Sequence, residues 1–226
     1  LKDGLDRLSA ERVWTELRKL LSAPDPSRSL LWMRQAGVLT KVLPEREKWG
    51  IDAIHGLVKA EGDLGWSADP LLRLEAMVPP DGERLKGLAE RLRLSNAEAS
   101  RLADWAGSAK IGSKATEGEL AKRLYREGRQ PLLDRIRLAL ASARARAVTE
   151  DDALVEAGGY ARLFKFAQAW ETPVFPLKGS DMQAIGMQPG PEMGKLLKRL
   201  EDEWIESGFR LDGGALLERA APYFSK

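Results

Sequence analysis

The chemistry this chain offers most specifically is carried by arginines spaced along one helix-forming segment. At about 100° per residue, Leu132, Leu133, Ile136, Leu140, Ala143 and Ala147 fall in one sector of the segment from Pro131 to Ala147. Arg137 and Arg144 then line one margin of that sector, and Arg135 and Arg146 line the other. A guanidinium stays charged and presents a fork to phosphate oxygens, so an open row of this kind could track phosphates along a nucleic-acid strand. The same stems could instead cover a helix–helix seam while their heads reach water. The residues alone leave both readings open. Lys122 and Arg123, with Arg126 and Arg129 after them, would extend such a surface, and Lys110 and Lys114 fall in a joint between helices.

A second anion-binding candidate lies near the C-terminal end. Pro189-Gly190-Pro191 forces a turn and places Pro191 at the first position of a new helix, so that helix's first N–H groups point outward near Lys195, with Lys178 shortly before the turn. A plain helical hairpin, with Gly and Pro serving the turn, explains the same residues. Metal chemistry finds little support. Asp52 and His55 stand at i and i+3 and could share a face, yet two ligands fall short of the three or four a protein site uses. Tyr125, Tyr160 and Phe164 could stack bases, but at helical spacing they read more simply as core. No residue points to base reading, which suits a partner recognised by its shape and backbone.

The elements that must position these residues are helices throughout. Ser9 starts the first, with Val13, Leu17, Leu20 and Leu21 on its apolar face; Leu30, Leu31 and Met33 mark a second that ends at Gly37, completing a helical hairpin. Two more helices are expected between 45 and 80, the second opened by Asp69-Pro70 and closed by Pro79-Pro80, the best internal boundary. Ser95-x-x-Glu98 and Thr116-x-x-Glu119 are capping boxes. Leu154, Val155, Leu163, Phe164, Ala167 and Trp170 line a helix over 149–170, where Gly158-Gly159 predicts a break or a close backbone contact. Ser180 or Asp181 is expected to cap a one-turn helix ended by Gly186. Met193, Leu196, Leu197, Leu200 and Trp204 give the following helix one packed face; Gly208 stops it, Phe209 folds back on its last turn, and a last helix runs from Ala215 to Tyr223. No stretch sustains alternation, so the predicted class is all-α.

Composition sets the outer limits. At 226 residues with 43% hydrophobic residues, the chain is long enough for a real core. Its formal net charge of +2 says nothing for or against nucleic acid, whereas the excess of bases between Arg84 and Arg146 makes the middle of the chain the candidate basic surface. With no cysteine there are no disulfides or thiolate metal sites, which fits a reducing compartment. No apolar run approaches the ~20 residues of a membrane span and no signal peptide is visible, so a cytoplasmic protein without a membrane partner is expected.

Two motifs resemble a known family. Gly179-x-Asp181-Met182-x-x-x-Gly186-x-x-Pro189-Gly190-Pro191-x-x-Gly194-x-x-Leu197-x-x-Leu200-x-x-x-Trp204 looks like the C-terminal segment of the bacterial tRNA nucleotidyltransferase/poly(A) polymerase family, the CCA-adding enzymes. Leu8-Ser9-Ala10-Glu11-Arg12-x-x-x-Glu16-Leu17, followed by Met33-x-x-Ala36-Gly37-Val38-Leu39 and Leu43-Pro44-Glu45, is similar to the same family. The resemblance implies a helical neck and start of body over 1–79, a helical body with a basic surface over 80–172 and a helical tail over 173–226. Glu11 and Arg12 would then support a helix upstream of Ser9.

The family's catalytic head, with its Gly-Ser loop and Asp-x-Asp metal ligands, has no counterpart here, since no Asp-x-Asp pair occurs in the sequence. No catalytic, cofactor or metal residue is therefore assigned. Mg²⁺, ATP and CTP are implied for a full-length parent, in which an N-terminal head would add nucleotides to an RNA 3′ end. This chain would position that RNA, most simply a tRNA acceptor region. The sequence does not separate CCA addition from poly(A) addition. A self-standing helical interaction scaffold is the alternative, and would leave a contiguous apolar patch exposed.

Overall fold

The computed structural model describes residues 9–46 and 50–223. Among them there are thirteen α-helices and no strand, the all-α class that the periodicity predicts. Leu8 of the first motif lies outside the described residues. The helices gather into two compact units, one from Leu1–Ala115 and Glu127–Gln168, the other from Thr116–Arg126 and Ala169–Lys226.

The first unit opens with α1 (Ala10–Leu21), α2 (Ser27–Gln35) and α3 (Val38–Val42). The Ser9 hydroxyl accepts the Arg12 N–H, and Gly37, at φ 67°, makes the left-handed turn between α2 and α3. Next come α4 (Gly50–Leu64) and α5 (Pro70–Met77), the latter capped by the Asp69 carboxylate on the N–H groups of Leu71 and Leu72. α6 (Gly82–Leu92) and α7 (Asn96–Gly107) follow, with the Ser95–Glu98 capping box formed in both directions. In the second unit, α8 (Glu117–Glu127) carries the Thr116–Glu119 box. The first unit then takes up the chain again with α9 (Arg129–Arg146) and α10 (Asp151–Ala169). These caps form where the sequence places them because each satisfies N–H groups within its own first turn.

The core of the first unit joins Leu17, Leu21, Leu30, Ile54, Leu74 and Leu88 with two indoles, Trp14 and Trp105. Trp14, at i−3 and i−7 from Leu17 and Leu21, donates to Glu98 at 3.3 Å, a polar outlet for a buried ring. Two charged clusters lie inside this unit. The Arg73 guanidinium, 1% exposed, pairs with Glu61 and donates to the carbonyls of Leu21 and Pro24, so it holds the end of α1. Arg101 bridges Asp69 and Asp134.

α10 departs from its predicted face. Leu163, Phe164 and Ala167 are buried and their stripe runs back through Ala153 and Ala157, but Leu154 and Val155, 67% and 73% exposed, lie off it. The Gly158-Gly159 pair does not break it. Gly159 instead sits so close to the 110s loop that a Cβ would come within 2.4 Å of the Ser113 carbonyl oxygen.

The second unit adds α11 (Gly179–Ala184), α12 (Pro191–Glu206) and α13 (Gly213–Ala220), closed by a 3-10 turn over Ala221–Tyr223. Its core is Leu177, Met182, Leu196, Leu200, Trp204 and Leu216. Phe209 folds back on Trp204 with ring centroids 5.0 Å apart, as the Gly208 stop predicts. The cap of α11 needs correction. Lys178 is the N-cap, and Asp181 acts from the third helical position by accepting the Lys178 N–H at 2.7 Å. Ser180 lies inside the first turn, so its hydroxyl is past the cap position.

Candidate nucleic-acid interface

The two arginine rows of α9 exist, and each guanidinium has protein partners. Arg135 donates to the carbonyls of Trp105 and Ala106 at 2.8 and 3.3 Å and lies 4.8 Å from the Trp105 ring centroid. It thus closes the C-terminal end of α7, where carbonyls lack helical donors. Arg137 packs against two aromatic rings that touch each other, 5.5 Å from Trp66 and 5.4 Å from Phe164. Arg144 reaches across to α4 and pairs with Asp63 at 2.9 Å, sharing that carboxylate with Lys59. The bonds from Arg144 and Lys59 hold the Asp63 carboxyl below its usual range. Arg146 pairs with Glu150 and Glu156 near the start of α10. In the geometry of this unit, then, both rows cover helix–helix seams.

In the second unit, α8 docks on α12 through charge. Lys122 pairs with Glu206 at 2.6 Å, and Arg126 reaches both Asp202 and Glu206. The Tyr125 hydroxyl donates to Glu201 at 2.6 Å; burial, and then that carboxylate, push the phenol up to about 12. Arg123, on the same helix, is half-buried. The basic face read from Lys122 and Arg126 is therefore largely met by the acids that the sequence places at 201–206.

Two further basic candidates lie on the exposed surface of the second unit. Lys178 and Lys195 are exposed, the latter paired with Glu192 at 2.7 Å. Gly190 precedes Pro191 at the first turn of α12, both exposed. Of the motif glycines, Gly186 has φ 96° and makes a turn that a side chain would strain, while a Cβ at Gly179 would stand 3.6 Å from the Met193 sulfur. Pro189 is exposed ahead of the turn, and Gly194 has nothing within 4 Å of the position its Cβ would take. In the first unit, Glu11 pairs with Arg93 at 2.8 Å. Its carboxyl is held low by its own backbone N–H and by that arginine. Arg12 is exposed and borders a shallow groove with Val13, Leu20 and Met33.

Asp52 and His55 do share a face. They line a cleft of about 590 Å³ with Lys59, Asp63 and Arg144. Among the described residues no three His, Cys, Asp or Glu side chains gather as a metal set.

Two exposed arginine–aromatic pairs escape the sequence reading. Arg28 lies 4.6 Å over Trp32, whose ring is 55% exposed, and Arg199 lies 5.0 Å over Tyr223, 52% exposed. The first was legible as an i,i+4 pair on one helix; the second joins residues 24 positions apart and was not.

Residues 1–49 match the family described as "Probable RNA and SrmB-binding site of polymerase A". Over 218 residues, 95% of this chain and 46% of the relative, the chain is 26% identical to the mitochondrial CCA tRNA nucleotidyltransferase 1 of Mus musculus. It is 27% identical to the A-adding tRNA nucleotidyltransferase of Deinococcus radiodurans, over 85% of this chain and 54% of that protein. A shorter match, 41% over 86 residues, covers 33% of this chain and 21% of the multifunctional CCA protein of Vibrio vulnificus. The chain spans about half the length of the first two relatives. Along most of its length, therefore, it is similar to part of the CCA-adding tRNA nucleotidyltransferases, the family that its Ser9–Glu16 and Gly179–Trp204 motifs resemble.

Proposed function

We propose that this chain is the RNA-binding portion of a tRNA nucleotidyltransferase, and that it positions an RNA 3′ end for nucleotide addition by a catalytic head outside this sequence. The observation that carries the reading is a match over 95% of the chain to a tRNA nucleotidyltransferase. The RNA-binding description of residues 1–49 supports it independently. The partner in this reading is the acceptor region of a tRNA. Mg²⁺, ATP and CTP belong to the head, and poly(A) addition is the sister activity. With no cysteine in the chain, the proposed setting is a reducing compartment such as the cytoplasm. No described helix is long and apolar enough to cross a membrane.

Because the α9 arginines and the α8 cations are held by partners on other elements, RNA contact is assigned first to two exposed cations, Lys178 and Lys195, the latter paired only with an equally exposed acid of its own helix, Glu192. The α9 rows serve instead as the internal frame of the first unit. The test is fluorescence anisotropy of the 226-residue chain with a tRNA lacking its 3′ CCA, titrated across a salt series. Binding whose log K falls linearly with log salt is expected, since phosphate contacts release counterions. No binding at low salt would overturn the proposal. One observation favours an interaction scaffold as second reading: Val148, Leu154 and Val155 are exposed at the junction of α9 and α10.

A further inference from the structure

The charges of α12 are segregated along its length. In its C-terminal half, Glu201, Asp202, Glu203 and Glu206 each meet a side chain of α8 or α13. From its first turn to its middle, Lys195, Lys198 and Arg199 are all exposed, and the acid there, Glu192, pairs with Lys195. The acids of this helix are thus largely used in folding the second unit, while the cations face water.

An aromatic ring stands beside those cations. Arg199 donates to the Tyr223 hydroxyl and lies 5.0 Å from the ring centroid, so the arginine orients the ring while leaving it 52% exposed. Together with Met187, Glu192, Lys195 and Leu196, the pair lines a cleft of about 450 Å³. That falls within the range of about 300–1,000 Å³ typical of small-ligand clefts. Its chemistry is an apolar floor, one oriented ring, the cations Lys195 and Arg199, and the Glu192 carboxylate that pairs with Lys195.

We infer that this cleft holds one unpaired nucleotide of the bound RNA, with the base against Tyr223 and the Met187–Leu196 floor, one phosphate on Lys195 at the cleft and the next on Lys198, exposed outside the cleft and one turn further along α12. The inference rests on the RNA-binding reading above and assigns it a site. A π-face accepts any base, and cations beside it meet the phosphates on either side of a splayed nucleotide. An extended peptide would need backbone donors and acceptors along its length, and the cleft offers mainly ammonium and guanidinium groups.

The test uses the 226-residue chain and the tRNA lacking its 3′ CCA, comparing Tyr223→Ala, Tyr223→Phe and the double variant Lys195→Gln/Lys198→Gln. Tyr223→Ala should bind roughly tenfold more weakly, and Tyr223→Phe within about twofold of the parent, because stacking needs the ring and not the hydroxyl. The lysine variant should lower the salt slope by about 1 to 2. Unchanged binding by Tyr223→Ala would overturn the site, as would equal losses in Tyr223→Phe and Tyr223→Ala, since the tyrosine would then act through its bond to Arg199. In either case RNA binding by the parent chain leaves the broader reading standing. Failure of the parent chain to bind RNA at low salt overturns both.

Discussion

At the scale of single residues, the buried charges make the sharpest expectations. Glu75 is 2% exposed, its two carboxylate oxygens have no hydrogen-bond partner, and Arg101 stands 4.0 Å away. Burial, reinforced by the neighbouring Asp134, raises its carboxyl well above the usual range. A carboxyl raised in the fold keeps a proton that the unfolded chain gives up near pH ~4.3. Its contribution to stability is therefore full below that pH and is lost as pH rises through the folded value. As pH rises above the unfolded value the chain is expected to lose urea resistance more steeply than a Glu75→Gln variant does; parallel curves would show that Glu75 is not the titrating group. Arg73→Met poses a different question, because it leaves Glu61 buried and unpaired. The expected cost is about 3–5 kcal/mol, with most of it recovered in Arg73→Met/Glu61→Leu. A double variant as unstable as the single would mean that the carbonyl contacts of Arg73, and not the ion pair, carry the effect.

At the scale of elements, neighbouring glycines are expected to respond with opposite signs. Gly158 has nothing within 4 Å of a Cβ, so Gly158→Ala should stabilise α10 by roughly 0.5–1 kcal/mol. Gly159→Ala must push the helix off the Ser113 carbonyl and should cost about 1–3 kcal/mol. Chemical denaturation of the two variants measures both. The sequence alone narrowed this pair to a break or a close contact, since either consequence follows from two glycines in a helix. It could not say which glycine makes the contact, because the partner is a carbonyl 46 positions away. On α12, Gly194→Ala is likewise expected to stabilise by about 0.5–1 kcal/mol, as no neighbour occupies that side. Destabilisation there would reveal a packing role that the described residues do not contain.

At the scale of the molecule, the second unit is assembled from two distant pieces of chain. α8 supplies Tyr125 to the rings of Trp204 and Phe209, at 5.5 and 5.6 Å, and its cations to the acids of α12. Eleven residues are too few to hold a helix without tertiary packing. Ending the chain after Gln168 should thus melt α8 while α6 and α7, within the first unit, keep their protection. Amide exchange over Glu117–Glu127 reads this directly; continued slow exchange there would show that α12 is not what holds α8.

What the sequence determined by itself was mostly local. The helical class, the caps at Ser9, Asp69, Ser95 and Thr116, the stop at Gly37 and the fold-back of Phe209 all depend on groups within one or two turns of each other, and the spacing of residue types states them directly. The tertiary structure decided which charges are engaged. Arg135, Arg137, Arg144 and Arg146 look alike along α9, yet a helix end, two rings and three carboxylates from other segments occupy them. It also decided that Arg199 meets Tyr223, and that Leu154 and Val155 stay in water. Apart from the local pairs of Arg146 with Glu150 and Glu156, those outcomes turn on distant partners, and a one-dimensional pattern carries the period of a helix face but not the identity of what covers it.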